Sequence, residues 1–203
     1  MKLLIATHNP AKKRELGDGF SSLLHRVSLL SLDDLHIAAD PEETGTTFED
    51  NARLKAQYFA NLTGIPTVAD DGGIGIDMLD GKPGVHSKRW LGYDATDEEM
   101  IAYTLQQLSN IPPDRRGAQF TVCLHYHNPS TKYDEFVKQS LRGQIALRPS
   151  EHRTQGFPYR ALFIVDAYGK YYDELTHDEH DAVNHRLQAI HKLAPLIEKD
   201  LLQ

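Results

Sequence analysis

A short segment near the start of the chain combines side chains that could bind a polyphosphate. Residues 7–13 read THNPAKK and join an apolar run to a predicted helix. The N–H groups at a helix start lack intrahelical partners, and the helix dipole is positive there. Lys12 would add a full positive charge, while Thr7 and Asn9 would add hydrogen-bond donors. The alternative is an ordinary helix cap formed by Asn9 and Pro10 with solvated lysines, since the Walker phosphate-loop pattern is absent.

Carboxylates form a second group of candidate functional residues. Asp70 and Asp71 precede two glycines at the end of a predicted strand, and Glu42 and Glu43 precede a predicted helix. Mg²⁺ in proteins takes oxygen ligands, commonly one or two carboxylates together with substrate phosphates. A carboxylate can also act as a general base that draws a proton from attacking water. The alternative for the Asp-Asp-Gly-Gly segment is a turn without further function.

The periodicity of apolar residues predicts the elements that would position these groups. Strands are predicted at 2–7, 26–31, 66–69, 119–127, 133–146 and 161–165. Helices are predicted at 10–20, from Thr47, at 96–109, and from Thr176 through the apolar positions that end at Leu193. Because helices interleave with strands, the class is α/β with a twisted, mixed central sheet. Open sheets of this kind bind ligands beyond the carboxyl ends of their strands, where residues 7–13 and Asp70 are expected.

The composition is that of a globular protein and limits the partners. The 203 residues are 40% hydrophobic and 25% charged, and they suffice for one sizeable core. No apolar run is long enough to span a membrane, and the first residues lack the features of a secretory signal. One cysteine, Cys123, fits a reducing cytoplasm. The net charge of −7 argues against long nucleic acids but not against a small anion held by lysines and a metal ion.

Seven short motifs follow one another along the chain. In order they are residues 7–15 (THNPAKKRE), 42–56 (EETGTTFEDNARLKA), 69–73 (ADDGG), 81–89 (GKPGVHSKR), 116–120 (RGAQF), 156–159 (GFPY), and 174–176 (ELT) with 185–186 (HR). Together they resemble the inosine triphosphate pyrophosphatase family, the Ham1-like enzymes that act on non-standard purine nucleoside triphosphates. No single motif is decisive, but the ordered set is specific and covers essentially the whole chain.

The resemblance implies a fold, a reaction and roles for particular residues. The fold would be a single domain over residues 1–203, with a long central sheet, helices on both sides and two lobes around a deep nucleotide cleft, usually as a homodimer. The reaction would be Mg²⁺-dependent hydrolysis of the α–β phosphate bond. Asp71 would be the general base and, with Glu43, a metal ligand. Lys12 and Lys55 would hold phosphates, and His185 and Arg186 would face the base. Further substrate contacts are expected from Thr7, Asn9, Asn51, Gly72, Phe157, Tyr159, Arg160 and His180.

The chain departs from the family pattern mainly in the segments that would line the base pocket. The family usually has Gly-Phe-Gly-Tyr/Trp-Asp-Pro where residues 156–161 read GFPYRA, so Arg160 replaces an acidic residue. His180 replaces a lysine, Asn184 replaces a serine, and Gly72 replaces a serine near the phosphates. Arginine only donates hydrogen bonds whereas aspartate accepts them, so we expect an altered base preference. Phe157 and Tyr159 could stack a base, or they could pack in the core.

Histidines and the cysteine suggest other sites less well. His177, His180 and His185 are predicted on one helix, and His125 and His127 alternate on a strand, but no zinc-binding spacing occurs. Histidines at the surface or a pocket edge are the simpler interpretation. Cys123 is expected to be a small buried hydrophobe rather than a nucleophile.

The sequence therefore favours an enzyme that hydrolyses a nucleoside triphosphate to the monophosphate and pyrophosphate, with non-canonical purines such as ITP, dITP or XTP as substrates. One alternative is a related pyrophosphatase that acts on a different modified or pyrimidine nucleotide. Another is a nucleotide-binding protein without turnover. The presence of Asp71, Glu43 and Lys55 argues against the second alternative, because a binder has no need of a base beside a metal ion.

Overall fold

A computed structural model describes residues 1–202 as eight strands and five α-helices with short 3-10 segments. The strands are β1 (Lys2–Ala6), β2 (Ser28–Ser31), β3 (Thr67–Ile76), β4 (Lys82–Pro83), β5 (Gly117–Asn128), β6 (Tyr133–Ile145), β7 (Phe163–Val165) and β8 (Lys170–Tyr171). The helices are α1 (Pro10–Ser21), α2 (Phe48–Thr63), α3 (Asp97–Gln107), α4 (His177–Val183) and α5 (His185–Leu201).

The strands form one mixed sheet of order β2-β1-β3-β5-β6-β7-β8, with β4 paired to β3. β1 lies between β2 and β3 and is parallel to both, whereas β4 is antiparallel to β3 and β7 is antiparallel to β6 and β8. The predicted α/β class with a mixed central sheet flanked by helices is therefore confirmed. The arrangement of two lobes about a cleft stays a prediction.

Local capping signals fix the starts of the helices. Asn9 caps α1, and Thr47 caps α2 by accepting a hydrogen bond from the Asp50 amide. Full capping boxes open α3 and α4, each formed by a threonine and the glutamate three residues later. In such a box the threonine and glutamate side chains satisfy amide groups that a helix start otherwise leaves unpaired.

The strand predicted at 66–69 is longer than expected. β3 continues through both aspartates and both glycines to Ile76, so the prediction of a strand end followed by a turn was wrong. Pairing with β1 stops at Ala69, but β4 then pairs with Gly75 and Ile76, and the Ser87 hydroxyl accepts a hydrogen bond from the Ile74 amide. These later contacts keep the chain extended. Similarly, residues 161 and 162 belong to a 3-10 segment and only Phe163–Val165 is strand.

The final predicted helix is two helices. Asn184 has an extended backbone with ψ of 100°, so α4 ends at Val183 and α5 begins at His185. The prediction that His177, His180 and His185 share one helix was therefore wrong. An extended residue breaks the regular hydrogen-bond ladder, which periodicity of apolar residues does not reveal.

The chain folds into two compact units, each with its own apolar packing. Unit 1 comprises residues 1–71, 122–139 and 186–203, and unit 2 comprises residues 72–121 and 140–185. Unit 1 has two apolar cores, one around Leu3, Phe20 and Tyr126 and one around Leu4 and Phe59. Unit 2 has one core, which includes Ile74, Phe163 and Tyr172. The single domain over 1–203 stays a prediction. Within residues 1–202 no helix is both long and apolar enough to cross a membrane.

Candidate active site

The start of α1 places Lys12 against an aspartate of β3. The Asn9 side chain accepts hydrogen bonds from the amides of Ala11 and Lys12 at 2.9 and 3.2 Å, and Thr7 Oγ1 accepts from the Asn9 amide at 3.3 Å. The helix cap is therefore present as predicted. It fixes the first turn of α1, in which Lys12 Nζ lies 3.1 Å from Asp70 Oδ2.

Asp70 is the anchor of an ion-pair network in unit 1. It is buried, and its Oδ2 atom lies 3.4 Å from the Arg186 guanidinium as well as near Lys12. Arg186 also donates to Glu15 at 2.7 Å. Burial alone would raise the pKa of the Asp70 carboxyl, but the positive charges of Lys12, Arg186 and Lys55 lower it to about 2. Asp70 is therefore ionised throughout the physiological range.

Asp71 lies beside a lysine and an asparagine of α2. Asn51 Nδ2 donates to Asp71 Oδ2 at 3.1 Å, and Lys55 Nζ lies 3.8 Å from Asp71 Oδ1 and 2.9 Å from Glu43 Oε1. The Asn51 carbonyl oxygen accepts from the Gly45 amide at 2.8 Å, and a side chain at Gly45 would clash with that oxygen. The glycine thus allows the loop before α2 to hold Asn51, which in turn orients Asp71.

The two adjacent aspartates have opposite electrostatic environments. Burial raises the pKa of the Asp71 carboxyl above its ordinary value, although Lys55 and Lys12 oppose the shift. Burial would also lower the pKa of Lys55, but Asp71, Asp70 and Glu43 outweigh it and raise that pKa. Carboxyls whose environments separate their pKa values in this way are typical of an acid–base site, in which one stays ionised and the other exchanges a proton.

The carboxylates of unit 1 fit a hard divalent cation that also binds substrate. Glu43 and Asp71 both approach the same ammonium group, so one cation could reach both. Asp70 Oδ1 is buried and has no hydrogen-bond partner among the described residues. Across residues 1–202, however, no group of three or more His, Cys, Asp or Glu side chains could hold a metal by itself. This donor set suits Mg²⁺, which usually takes one or two carboxylates and completes its shell with phosphates and water.

A second group of candidate residues lies in unit 2 and is mainly aromatic. The Arg160 guanidinium lies 3.7 Å from the centroid of the Phe157 ring and 4.9 Å from that of Tyr172. The His180 ring meets Tyr172 edge-on at 5.2 Å, and the His185 ring stacks on Phe120 at 5.7 Å with an interplanar angle of 3°. We call these six residues the ring cluster. Phe157, Arg160 and His180 are partly exposed, whereas Tyr172, Phe120 and His185 are buried.

Tyr159 and the glycines of unit 2 have mainly structural contacts. Tyr159 is buried in the core, and its hydroxyl donates to the Ser87 carbonyl at 2.8 Å, as core packing requires. Ser87 Oγ also donates to the Gly84 carbonyl at 2.6 Å, and a side chain at Gly73 would overlap that hydroxyl. Gly72 lies within β3 and is partly exposed. The segment at 81–89 is therefore tied to β3 through Ser87.

A cavity of about 200 Å³ adjoins Phe157 in unit 2. Pro158, Ile101, Arg153, Asp97 and Glu98 contribute to its lining. Its charged residues are paired, because Asp97 accepts from the Gly156 amide at 2.8 Å and Arg153 donates to Glu98 at 3.2 Å. Phe157 thus lines a cavity and also supports Arg160.

The structure groups the predicted site residues into two sets. Unit 1 contains Thr7, Asn9, Lys12, Glu43, Asn51, Lys55, Asp71 and Arg186, and unit 2 contains Gly72, Phe157, Tyr159, Arg160, His180 and His185. We call Lys12, Glu15, Glu43, Asn51, Lys55, Asp70, Asp71 and Arg186 the charged cluster. Arg186 was expected to face the base together with His185, which stays a prediction, and its guanidinium contacts Glu15 and Asp70. Sequence reasoning named Asp70 as a candidate carboxylate without a specific role, and gave no role to Glu15, Phe120 or Tyr172. Glu15 and Phe120 stand in motifs, whereas nothing in the sequence distinguishes Tyr172.

His125, His127 and Cys123 have local contacts within unit 1. His125 Nε2 lies 2.8 Å from Asp134 Oδ1, and His127 Nδ1 lies 3.0 Å from Asp134 Oδ2. The two imidazoles therefore share a carboxylate on the neighbouring strand. Cys123 is fully buried, and burial raises the pKa of its thiol to about 12, which leaves it un-ionised near neutral pH. The expected small buried hydrophobe at Cys123 is confirmed.

The described structure thus has a mixed α/β sheet, a lysine-and-carboxylate cluster in unit 1 and a cation-bearing ring cluster in unit 2. The chain belongs to the Ham1 family, whose sequence model matches residues 3–196. The dITP/XTP pyrophosphatase of Yersinia pseudotuberculosis is 40% identical over 190 residues, 93% of this chain and 94% of that protein. That of Escherichia coli O157:H7 is 39% identical over 191 residues, again 93% and 94% of the two chains.

Solved structures agree with this assignment. A nucleoside-triphosphatase (dITP/XTP pyrophosphatase) from Mycobacterium abscessus is 39% identical and gives a TM-score of 0.77. The match covers 96% of this chain and 100% of that chain. A HAM1 protein from Coxiella burnetii is 30% identical, with a TM-score of 0.85 over 98% of this chain and 99% of its own. The family that the sequence motifs predicted is therefore confirmed.

Proposed function

We propose that this protein hydrolyses a nucleoside triphosphate to the monophosphate and pyrophosphate, with non-canonical purine nucleotides such as dITP and XTP as its substrates. The predicted class of enzyme is confirmed by relatives about 40% identical over nearly the full length that are named dITP/XTP pyrophosphatase. The observation that carries the proposal is the charged cluster. It combines an ionised anchor, Asp70, with a carboxyl of raised pKa, Asp71, and two lysines.

Asp71 is the proposed general base. A water molecule would attack the α-phosphorus while Asp71 takes its proton, and the bond from that phosphorus to the oxygen bridging to the β-phosphate would break. Pyrophosphate then leaves with that bridging oxygen. The hydrogen bond from Asn51 orients the accepting carboxylate. Asn51 is therefore proposed to position Asp71 and also to contact the substrate.

Lys12 and Lys55 are proposed to bind the phosphates. Negative charge grows on the α-phosphate oxygens and on the leaving pyrophosphate, and fixed positive charges stabilise both. Lys12 lies in the first turn of α1, where the helix dipole adds to its effect. Asp70 holds Lys12 by an ion pair, so the ammonium is positioned before substrate arrives. Thr7 and Asn9 are proposed to contribute further contacts near the same helix start.

Mg²⁺ is the proposed cofactor, and Glu43 and Asp71 are the residues that would hold it. When bound, it would polarise the phosphate oxygens and neutralise charge on the leaving group. Glu43 accepts a hydrogen bond from Lys55, so Lys55 keeps the two carboxylates from repelling one another before the cation arrives. Gly72, next to Asp71, is proposed to lie near the phosphates.

The ring cluster is proposed to bind the base. Aromatic faces and guanidinium planes stack on nucleobases, and three members of the cluster are partly exposed. Phe157, Arg160, His180 and His185 are the proposed contacts. Tyr159 is also a proposed contact of the base. Its side chain is less accessible than those of Phe157, Arg160 and His180, because its ring is buried and its hydroxyl already donates to the Ser87 carbonyl.

Three further expectations complete the proposal. Residues 1–203 would work as one domain, the protein would be cytoplasmic, and it would form a homodimer, as the family resemblance implies. The cytoplasmic assignment is supported by a single cysteine that is buried. Light scattering at micromolar concentration tests the proposed homodimer, and a stable monomer would contradict it.

The experiment that tests the reaction is pyrophosphate release from a panel of purine and pyrimidine ribo- and deoxyribonucleoside triphosphates, with Mg²⁺ and with EDTA. We expect strong release in Mg²⁺, loss of release in EDTA, and a preference for dITP, ITP and XTP. Release confined to pyrimidine or other modified nucleotides would favour the alternative substrate class. Tight nucleotide binding without release from any nucleotide would instead indicate a binding protein.

A further inference from the structure

The loop that carries Glu43 has little packing of its own. It comprises residues 38–44, which we call the glutamate loop, and lies between the turn at 32–36 and helix α2. These residues belong to no helix or strand, and most of them are exposed. A segment with few buried contacts samples several conformations unless polar contacts hold it. The position of Glu43 therefore depends on such contacts.

His8 ties this loop to the segment at 7–13. The His8 Nε2 atom lies 2.8 Å from the carbonyl oxygen of Ala39. Because a carbonyl oxygen only accepts, Nε2 must carry a proton and donate it to this hydrogen bond. Across the described residues 38–42 it is the one hydrogen bond to the rest of the chain. His8 therefore fixes the part of the glutamate loop that leads into Glu43.

The His8 ring also contacts the helix that binds Glu43. It meets the Phe59 ring edge-on, with centroids 6.4 Å apart and an interplanar angle of 72°. Phe59 is buried in the core and lies on α2 one turn after Lys55, which donates to Glu43 at 2.9 Å. A close-packed core ring is a rigid support for the imidazole. One side chain thus contacts both the glutamate loop and the helix that pairs with Glu43.

We propose that His8 is a positioning residue that holds the glutamate loop by the Ala39 carbonyl and so keeps Glu43 in place for the divalent cation. The proposal rests on the proposed function, because it takes Glu43 as a metal ligand of an NTP pyrophosphatase. Without this hydrogen bond the loop populates other conformations, and only the fraction with Glu43 in place binds the cation well. Loss of His8 should therefore weaken the apparent affinity for the cation and leave the chemistry of the occupied site unchanged.

Three substitutions separate the hydrogen bond from the ring contact. His8→Ala removes both, His8→Phe keeps a ring beside Phe59 without a donor, and His8→Gln keeps a side-chain N–H donor without the ring. His8→Ala and His8→Phe should therefore behave alike, whereas His8→Gln should resemble the wild type. His25→Ala is the matched control, because it removes an exposed histidine of unit 1 that lies outside both clusters. Thermal unfolding shows whether each variant is folded.

The first measurement follows the loop itself in protein free of metal and nucleotide. A glutamate-specific protease cuts after Glu42 or Glu43 when the loop leaves its place, and mass spectrometry identifies these cuts. If opening and closing are fast relative to cutting, the cutting rate reports the population of the open loop. Loss of one hydrogen bond should raise this rate roughly 3- to 10-fold in His8→Ala and His8→Phe. His8→Gln and His25→Ala should stay within about twofold of the wild type.

The second measurement is pyrophosphate release from ITP as the Mg²⁺ concentration is varied at saturating nucleotide. The Mg²⁺ concentration that gives half of the maximal rate should rise by a similar factor in His8→Ala and His8→Phe. The value of kcat at saturating Mg²⁺ should stay within about twofold of the wild type, because the occupied site is unchanged. A general structural defect would instead lower kcat at every Mg²⁺ concentration.

The outcomes distinguish failure of this inference from failure of the proposed function. If the wild type releases pyrophosphate from no nucleotide, the proposed function is wrong, and the cutting rates still show whether His8 holds the loop. If the wild type is active and His8→Ala leaves the Mg²⁺ requirement unchanged, the inference is overturned, with or without faster cutting. A higher KM for ITP in all three His8 variants at an unchanged cutting rate would also overturn it, because His8 would then contact the substrate directly.

Discussion

The charged cluster of unit 1 and the ring cluster of unit 2 hold their side chains by different forces. In the charged cluster each ionised group lies against an opposite charge: Asp70 against Lys12 and Arg186, and Lys55 against Glu43 and Asp71. In the ring cluster the contacts are between faces and edges of rings, with one guanidinium lying on two of them. The first arrangement depends on charge and the second mainly on shape.

This difference explains where the chain can depart from its family. Removing one charge from the charged cluster leaves a buried counter-charge without a partner, which is costly. A ring surface tolerates a neighbour of either polarity, because an arginine stem packs on it and the cation is attracted to its face. The phosphate-side motifs are therefore intact except at Gly72, while Arg160, His180 and Asn184 differ from the usual residues.

The largest effect is expected in the charged cluster from Asp71→Asn. This substitution keeps the size of the side chain but removes the proton acceptor, so kcat should fall about 10²- to 10⁴-fold. Triphosphate binding, measured by calorimetry with Ca²⁺ in place of Mg²⁺, should persist because Lys12 and Lys55 remain. Asp18→Asn, an exposed aspartate on α1, is the matched control and should retain full activity. Full turnover in Asp71→Asn would show that another residue is the general base.

The next effect is on stability and concerns Asp70→Asn. The pKa of about 2 in the folded protein, against an ordinary value of 3.8, corresponds to about 2 kcal/mol of the free energy of unfolding at neutral pH. Because the folded-state pKa is lowered, this stability is present above the ordinary carboxyl pKa and is lost as pH falls from about 4 towards 2. Urea unfolding of wild type and Asp70→Asn in EDTA should show this loss of unfolding free energy at pH 7.

The pH dependence separates this ion-pair effect from a simple packing defect. The gap in unfolding free energy between wild type and Asp70→Asn should narrow as the pH is lowered through that range, because wild-type Asp70 then becomes protonated. Asp18→Asn should show no gap at any pH. A gap of constant size would mean that the variant is destabilised by altered packing and that Lys12 and Arg186 contribute little through charge.

The sequence predicted the features that depend on neighbouring residues. The cap at Asn9 and the capping boxes at Thr96 and Thr176 follow from local rules, because a side chain and the amides two or three residues later meet whatever the rest of the fold does. The family followed from motifs in a fixed order. These signals also placed Lys12 at the first turn of α1, where the structure has it.

The features that depend on distant contacts were not predictable in the same way. β3 passes through Gly72 and Gly73 because β4 and Ser87 hold it from residues further along the chain. The family resemblance placed Arg186 with His185 at the base, but it did not reveal that the Arg186 guanidinium contacts Glu15 and Asp70, far away in sequence. The Arg160 guanidinium lies 4.9 Å from the Tyr172 ring, a contact that local sequence rules do not predict. Such partners are set by tertiary structure, and a single sequence does not encode them locally.

A smaller effect is expected from Asp200→Asn. Within unit 1, Asp70 is a buried carboxylate paired with positive charges, whereas Asp200 is a buried carboxylate that accepts hydrogen bonds. Asp200 accepts hydrogen bonds from Tyr126, Asn128 and Thr131 at 2.7, 2.6 and 2.8 Å, all neutral donors. Burial opposes the charged form, but these donors together lower the pKa of Asp200 below its ordinary value. The variant turns one acceptor into a donor and should lose about 1 kcal/mol of unfolding free energy at pH 7.

The stability contributed by Asp200 should also depend on pH. Its folded-state pKa is lowered, so the contribution is present above the ordinary carboxyl value of 3.8 and declines as the pH falls below it. Denaturant unfolding of wild type and Asp200→Asn between neutral and acidic pH measures this decline. Pyrophosphate release should be unaffected, since Asp200 belongs to neither cluster. A loss larger than that of Asp70→Asn would contradict the view that charge pairing dominates in unit 1.

The smallest effect is expected in unit 2 from Tyr159→Phe, which removes only the hydroxyl that donates to the Ser87 carbonyl at 2.8 Å. The ring stays in the core, so the unfolding free energy should fall by about 1 kcal/mol and kcat/KM for ITP should stay within about twofold of wild type. Phe157→Leu is the comparison, because it removes a partly exposed ring of the same segment and should raise KM while the fold persists. If instead Tyr159→Phe raises KM as strongly as Phe157→Leu, the Tyr159 hydroxyl contacts substrate, and the division of this segment into a buried support and an accessible ring is incorrect.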